Sequence, residues 1–473
     1  MVKFSPLKKY FRFLFFVVVT VLVTYFTSAL ISSVWYILLL VIYFKSKDEA
    51  FWLAFFFVTT DGFMGFLGIY TTVIKLIPGL PGIELAQFYI ILSLLKVYFS
   101  KNNTRQFYGN WLQGMLFYSL FLVLFGIFNG LTKEMNIYFR LVKILMPLLL
   151  FYTIPRLLTT LKDYENLFGY LFLVLVLAFI AQLNTLFTGF DPKKYFNLLN
   201  DPDAEMRPEL EVGRNFRVLY NQAITFFCVF GALYFLALKK IRTFKITYLY
   251  VIVVVSFALT FLSATRGYIL SIGFAIFLFF IFVQKLNVKQ IFAFSFFFIC
   301  LVFVGLSNQK VSTQIQFSID RLLTLNSLAE GDLSAEGSLI RLSERGPRVI
   351  KVWSESPVFG HGFSDRFFIN DDFHVGNQNI LMHAGVVGIL LLCGFIFYFI
   401  KKMLNGYFNF PANNPFSSTF LVFIIFLLGW IIVHSSSSQQ FAFYGLPNDI
   451  FPQAVFLGMA GLTYREARLV HAG

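Results

Sequence analysis

The chain has 473 residues, of which 58% are hydrophobic and only 13% charged, and its mean hydropathy is +0.74. That balance excludes an ordinary soluble protein, a disordered chain and a coiled coil, and indicates a polytopic membrane protein. The formal net charge of +14 would fit a nucleic-acid partner only if the basic residues shared one solvated surface, which their placement along the chain excludes.

A hydrocarbon core of about 30 Å takes roughly 20 apolar residues per helix. Segments that meet this requirement are 11–27, 29–44, 50–68, 84–99, 111–129, 137–154, 166–187, 216–238, 246–264, 267–284, 290–306, 378–400, 417–433 and 448–464. The expected fold is therefore all-α, with about 12–14 transmembrane helices and 14 the best count. Lys8, Lys9 and Arg12 before FLFFVVVTVLV resemble a signal peptide. Many equally apolar segments follow and no small-x-small cleavage site is clear, so this stretch reads as the first membrane helix. The stretch 11–44 is too long for one upright helix, and a break is expected at Thr27-Ser28 or Ser32-Ser33. Cys228, Cys300 and Cys393 lie in Phe/Leu/Val-rich runs and read as packing residues.

Four regions follow: membrane helices and a first long outward loop over 1–210, helices with outward arginine motifs over 211–306, one large outward loop over 307–377, and the last helices over 378–473. Charge tests this path. With both termini inside, the short basic flanks YFKSK, KVYFSKNNTR, PRLLTTLK, LKKIRTFK, VQKLNVK, IKKML and TYREAR all fall on the cytoplasmic side. Cytoplasmic termini, loops and flanks hold 21 of the 38 Lys and Arg against five of the 24 acids, a balance of +16, which leaves −2 for the rest of the chain. The excess positive charge is thus an orientation signal.

Residues that carry chemistry concentrate on the outward side. Arg266, in FLSATRGYIL, sits at a turn between two very apolar helices. An arginine there either snorkels from a tight turn, with Gly267 supplying backbone freedom, or pairs with something anionic. Arg214 and Arg217, in VGRNFRVLYNQA, suit bidentate recognition of a phosphate or pyrophosphate group, or else interfacial anchoring beside DPDAEMRPELE. Arg341, Arg345 and Arg348 would share one face of a continuous helix. Gly346-Pro347 argues against continuity and suggests a new helix from Pro347 to Trp353, with Arg345 and Arg348 near its N-terminus; alternatively they are solvated and paired with Glu344 and Glu355.

In SPVFGHGFSDRFFINDDFHVGNQNILMHAGVVGILLL, His361 sits between Gly360 and Gly362, and His374 follows Asp371-Asp372 just before a helix that opens near Asn377. A histidine in such a place can act as a general base, though a loop histidine is more often an ordinary surface residue. His383, within the helix, reads as a hydrogen-bonded packing residue. Asp201, Asp203, Asp371 and Asp372 could hold a divalent metal, but acidic residues are common in polar loops, and no metal or other cofactor is expected. Asp61 is an intramembrane carboxylate, for which Arg140 and Lys143 are candidate partners; those two cations could equally line an anionic head-group site. There is no GxxxxGK[ST], HExxH, GxSxG or CxxC motif, and no repeat halves of the kind secondary transporters show.

The order RNFRVLYNQA, SATRG, an arginine-rich loop, PVFGHG and HVGNQNILMHAGVVGILL resembles the O-antigen ligase and O-antigen polymerase superfamily over roughly 210–395. Val375 departs from the pattern, since an Asn commonly follows the family histidine; Asn377 or Asn379 would fill that polar role. The resemblance implies a GT-C-like, metal-independent, inverting glycosyltransferase of the bacterial inner membrane with a periplasmic active site. Its donor would be an oligosaccharide on undecaprenyl diphosphate, and its acceptor another glycan or lipid A core. A chain-length regulator protein is a candidate partner. On this resemblance His374 would orient or deprotonate the acceptor hydroxyl. Arg217, Arg266 and Arg341 or Arg348, with Arg214 and Arg345 beside them, would hold the diphosphate. A repeat-unit polymerase is the leading expectation, followed by an O-antigen ligase and a protein O-oligosaccharyltransferase; a lipid-linked glycan flippase is the alternative from another class.

Overall fold

A computed structural model describes residues 6–60, 72–74, 82–100, 106–188, 222–238, 244–284, 307–329, 341–411 and 413–472. The first half contributes α1 (Pro6–Phe26), α2 (Ala29–Lys45), α3 (Glu49–Thr60), α4 (Leu85–Ser100), α5 (Gly109–Phe128), α6 (Met135–Leu157, with a 3-10 turn at Met146–Leu149) and α7 (Leu161–Thr188). Then come α8 (Gln222–Ala237), α9 (Ile246–Leu262), α10 (Arg266–Leu278, continued by a π turn to Gln284), α11 (Gln309–Ala329), α12 (Gly346–Trp353) and α13 (Asp365–Asn370). The last helices are α14 (Gly376–Asn409), α15 (Ser417–Ser436) and α16 (Pro447–Ala472). Among the described residues the only strands are β1 (Val73–Ile74) and β2 (Ile83–Glu84), an antiparallel pair with Val73 opposite Glu84.

The protein is a multi-pass helical membrane protein. Seven described helices are long and apolar enough to cross a bilayer, and five shorter ones are apolar. Each of the expected segments overlaps a described helix except 290–306, which lies outside the described residues, as do 61–68 and 216–221 of the segments 50–68 and 216–238. The break in 11–44 falls at Thr27-Ser28. There the Thr27 and Ser32 hydroxyls both donate to the Val23 carbonyl, at 2.6 and 3.1 Å, satisfying a helix end that lipid would leave bare. The hairpin is then fastened by Trp35 Nε1 donating to Thr20 Oγ1 at 3.0 Å.

The core forms around α8, which is buried along Ile224–Leu238, as suits a helix that is apolar on every side. Phe226 stacks on Phe426 of α15 at a centroid distance of 4.5 Å, Phe230 packs tilted against the same ring at 4.9 Å, and Phe230 meets Phe456 of α16 at 5.1 Å. Outer helices instead expose large apolar side chains, such as Phe11, Phe15 and Leu22 on α1 and Phe117 and Leu124 on α5, the surface a lipid solvent requires. Cys228 is buried in the core as expected, whereas Cys393 lies on the exposed side of α14.

The helix junctions sort into two ends. At one, Arg12 pairs with Asp48 at 2.6 Å, Lys9 donates to Asn166 and Arg465 donates to the Thr159 carbonyl. At the other, Thr132 after α5 donates to Asp365 of α13, Lys143 of α6 pairs with Glu84 of β2, and Gln314 of α11 donates to the Leu262 carbonyl that ends α9. The stretch 307–377 is therefore no free loop where it is described: α11, α12 and α13 are all seated on this second end.

Helix α14 is broken at Gly385, which has φ +63° and ψ −170°. The segment PVFGHG fills the break like a strand. Val386 N–H donates to the Pro357 carbonyl at 3.0 Å, Val387 N–H to Val358 at 3.2 Å, and the His361 and Gly362 N–H groups to the Met382 and His383 carbonyls, both at 2.8 Å. A Cβ on Gly385 would stand 2.2 Å from the Val358 oxygen, and one on Gly360 2.6 Å from the His383 carbonyl carbon. The PxxGxG spacing thus encodes a backbone-to-backbone dock in which side chains have no room.

Gly385→Ala combines this collision with a backbone region that is essentially restricted to glycine, so it should lower stability by about 2–4 kcal/mol. Gly114→Ala, where a Cβ meets nothing within 4 Å, should be neutral or slightly stabilising. Thermal unfolding of the two purified variants in detergent checks the contrast.

Candidate functional site

The site is organised by a segment that the motif reading passed over. From the last turn of α15 into the link to α16 runs Ser435-Ser436-Ser437-Ser438-Gln439-Gln440, a polar stretch at the end of a very apolar helix. Buried polar groups there need internal partners, and they have them. His434 Nδ1 accepts the backbone N–H groups of Gln440 and Phe441 at 2.9 and 3.2 Å. The Gln440 amide accepts from Trp430 Nε1 at 2.9 Å and donates to Ser438 Oγ, also at 2.9 Å. Gln439 N–H donates to the Phe373 carbonyl at 2.6 Å, joining this turn to the His374 loop.

Two helices begin against the turn. Gly267, second residue of α10, would bring a Cβ to 2.6 Å from Ser437 Cβ, and Gly376, first residue of α14, one to 2.7 Å from the His434 carbonyl oxygen. Gly267 therefore supplies space for close approach and not the backbone freedom expected of it. The positive φ in SATRG belongs to Ala264, at +53°, an uncommon conformation for a residue with a Cβ. Both helix N-termini carry partial positive charge, and they meet at one place.

The arginines come from α12 and the turn before it. Residues Arg341–Arg345 form a π-helical turn that runs directly into α12, and Arg345 itself is in the α conformation. The α-helix proper opens at Gly346, with Arg345 at its cap position and Pro347 in its first turn, as expected from Gly346-Pro347. Arg345 and Arg348 thus flank that N-terminus, and with Arg341 they meet the 372–374 loop. Arg341 Nη1 donates to the Ser436 carbonyl at 2.7 Å, and its Nη2 lies 3.5 Å from His374 Nδ1.

Asp372 is the pivot. Its carboxylate is almost fully buried and pairs with Arg348 at 3.2 Å and Arg345 at 3.6 Å, while also accepting the His374 N–H at 3.0 Å. Its own N–H donates to Asn379 Oδ1 at 3.1 Å. Asn379 is fully buried and donates to Gln439 Oε1 at 2.7 Å and to the Tyr444 hydroxyl at 3.2 Å; that hydroxyl also accepts from Gln439 Nε2 at 3.2 Å. Asn377, more exposed, donates to Ser435 Oγ at 3.1 Å. The partners expected for the arginines, Glu344 and Glu355, give way to Asp372; Glu355 pairs with Arg366. Asp371 turns the other way, to Arg140 at 3.4 Å, whose guanidinium lies 4.4 Å over the Phe368 ring. The two aspartates thus neutralise different cations, and the described residues contain no cluster of three or more His, Cys, Asp or Glu that could hold a metal.

His374 stands at the exposed edge of the site, and its pKa is lowered, first by desolvation and then by the charges of Arg341 and Arg345; Asp372 and the Ser437 backbone oppose the shift. The imidazole is therefore held neutral at neutral pH, the form that can accept a proton. Asp371 shifts upward, mainly through burial, with Arg140 opposing.

Arg266 is half-buried at the first position of α10, next to the glycine packed on Ser436 and Ser437. Around the serine turn the fold thus gathers His374, Arg341, Arg345 and Arg348, with the first residue of α10, Arg266, adjoining the turn through Gly267. Arg140 lies beside this group through Asp371. Lys143 is drawn away to Glu84, and His361 Nε2 is within 2.8 Å of the Val352 carbonyl near the end of α12, a structural bond. His383 is not the hydrogen-bonded packing residue expected: its Nε2 has no hydrogen-bond partner among the described residues, and its ring packs on Phe363, Phe367 and Tyr444 at 4.5–4.8 Å. Arg214, Arg217, Asp61, Asp201 and Asp203 lie outside the described residues.

Beside the turn, Trp430, Phe441 and Phe443 line a narrow apolar cavity of about 70 Å³ that continues between α5, α14 and α16 past Leu116, Phe399 and Phe456. No protein-family model matches the chain, and no curated protein sequence matches it.

The Asn379–Gln439–Tyr444 network makes a stability prediction. Tyr444→Phe removes a buried hydroxyl that accepts two amide N–H groups, and should cost about 1–2 kcal/mol. Tyr138→Phe, at an exposed position on α6, should change little. Thermal midpoints of the two variants in the same detergent measure the difference.

Proposed function

We propose that the protein is a membrane glycosyltransferase with a GT-C-like fold of 14 spans, acting on undecaprenyl-diphosphate-linked glycans at the periplasmic face of the bacterial inner membrane, and that it polymerises repeat units. The observation that carries this reading is the convergence of a neutral histidine with the guanidinium groups of Arg341, Arg345 and Arg348 and two helix N-termini around one serine turn. A diphosphate leaving group gains negative charge as the glycosidic bond breaks. Fixed cations and helix N-termini in a partly dry cleft stabilise that charge without a nucleotide or a metal.

In this mechanism His374 accepts the proton of the acceptor hydroxyl as its oxygen attacks the anomeric carbon from the face opposite the diphosphate, inverting the centre in one step. Arg341 and Arg266 bind the departing diphosphate. Arg345 and Arg348, held by Asp372 in the resting site, exchange that carboxylate for a phosphate oxygen. An early isoprenoid unit of the carrier suits the narrow apolar cavity lined by Phe441 and Phe443.

In a host that makes O-antigen, a deletion strain should show core capped with a single repeat on lipopolysaccharide gels. Bare core with polymer stranded on its carrier would instead mean a ligase. His374→Ala and Arg266→Ala, expressed at wild-type levels, should each lower polymer formation at least a hundredfold, the scale of a lost general base or transition-state charge contact; full complementation by both would overturn the assignment.

A pH profile gives a second check. Because the His374 pKa is lowered, activity should fall only as the medium is acidified through a value below the ordinary histidine range near 6.5. Arg341→Gln removes a charge that disfavours the imidazolium, so the acidic limb of its residual activity should move to higher pH. An unmoved limb would separate His374 from the titration.

A further inference from the structure

At the end of the bundle remote from the serine turn, an open cleft of about 500 Å³ lies between α14 and α16. Three cations line it: Lys402 of α14 and Arg465 and Arg468 of α16. Lys402 Nζ stands 4.5 Å over the Tyr464 ring, and Tyr464 meets Phe107 at a centroid distance of 5.7 Å, so the charged wall has an aromatic floor. Arg465 is anchored to the Thr159 carbonyl at 2.9 Å and has Glu466 at 3.4 Å. Among the described residues neither Lys402 nor Arg468 has a carboxylate within ion-pair distance. The cleft therefore carries a surplus of positive charge. Its lip is apolar, since Leu469 is 61% exposed.

We propose that this cleft binds the head group of an anionic phospholipid, with the phosphodiester between Lys402 and Arg468 and an acyl chain leaving over Leu469. Three features select that ligand. The cations stand at the ends of two long helices, where the polar and apolar zones of a bilayer meet. Guanidinium and ammonium groups match phosphate oxygens. The aromatic floor and the Leu469 lip suit a molecule that is apolar beyond its phosphate, which a free inorganic ion is not. Basic residues that serve orientation alone need only lie on the correct side; here they converge from two helices on one cavity. Close packing shapes it: a Cβ on Gly461 would collide with the Gln106 side chain, so α16 meets the 106–108 segment at contact distance. The site lies about 26 residues along α14 from Gly376, on the order of 40 Å from the proposed reaction centre, and does not depend on the reading given to that centre.

Native mass spectrometry of the purified full chain tests this by titration with phosphatidylglycerol, phosphatidylcholine and inorganic phosphate. Phosphatidylglycerol should bind as one preferred adduct, tighter than phosphatidylcholine and not displaced by millimolar phosphate. A basic side chain near an anionic surface contributes about a factor of five, so Lys402→Gln with Arg468→Gln should weaken the adduct about tenfold to thirtyfold at an unchanged melting temperature. Lys8→Gln, another basic flank at the same end, should leave it intact. Equal binding of the two lipids, displacement by phosphate, or equal losses from Lys8→Gln and the double variant would each overturn the proposal.

Discussion

Hydrocarbon offers no water to a backbone N–H or C=O, and an unpaired group there costs several kcal/mol, so every interruption of a membrane helix has to bring its own partners. This protein interrupts its helices repeatedly near one end, and each interruption is closed by another piece of chain. The break in α14 at Gly385 is filled by PVFGHG, whose carbonyls and N–H groups pair with both sides of the gap. The serine and glutamine residues after α15 supply side chains where backbone runs out. The site is built from these repairs, because the segments that mend the helices also carry or support the arginines and His374.

Electrostatics follows from that architecture. Arg341, Arg345 and Arg348 would repel one another and any neighbouring imidazolium if nothing offset them. Asp372, nearly buried and braced by Asn379, pairs with two of the three, while the Ser436 carbonyl takes Arg341. Desolvation first, and the charges of Arg341 and Arg345 second, lower the His374 pKa, and the same cations attract an anion. A carboxylate that pairs with two cations in the resting state is also a group that an incoming phosphate can replace.

Much of this was legible in the sequence, and the limits are instructive. The apolar segments and the break at Thr27-Ser28 follow from helix length and hydroxyl chemistry alone. The helix that opens at Gly346-Pro347 follows from proline's preference for a first turn, whereas the π turn that brings Arg341 round to the same loop has no sequence signature. The role of Asp372 was out of reach: two adjacent aspartates look alike in sequence, and only folding turns one toward Arg140 and the other toward Arg345 and Arg348. The serine turn left a signal, six small or amide residues in a row beside apolar helices, yet no motif in it names a chemistry.

By itself, then, the sequence determined that the chain lives in a membrane, where its helices run and which side chains are too costly to be there without a reason, since all of these depend on local hydropathy and charge. Tertiary structure alone decided which of those side chains meet. Arg266, Arg341, His374 and Ser436 are separated by up to 170 residues of numbering, and they come together because Gly267 and Gly376 let two helices start against one turn. Close approach of backbones is a property of packed surfaces, and no single segment contains it.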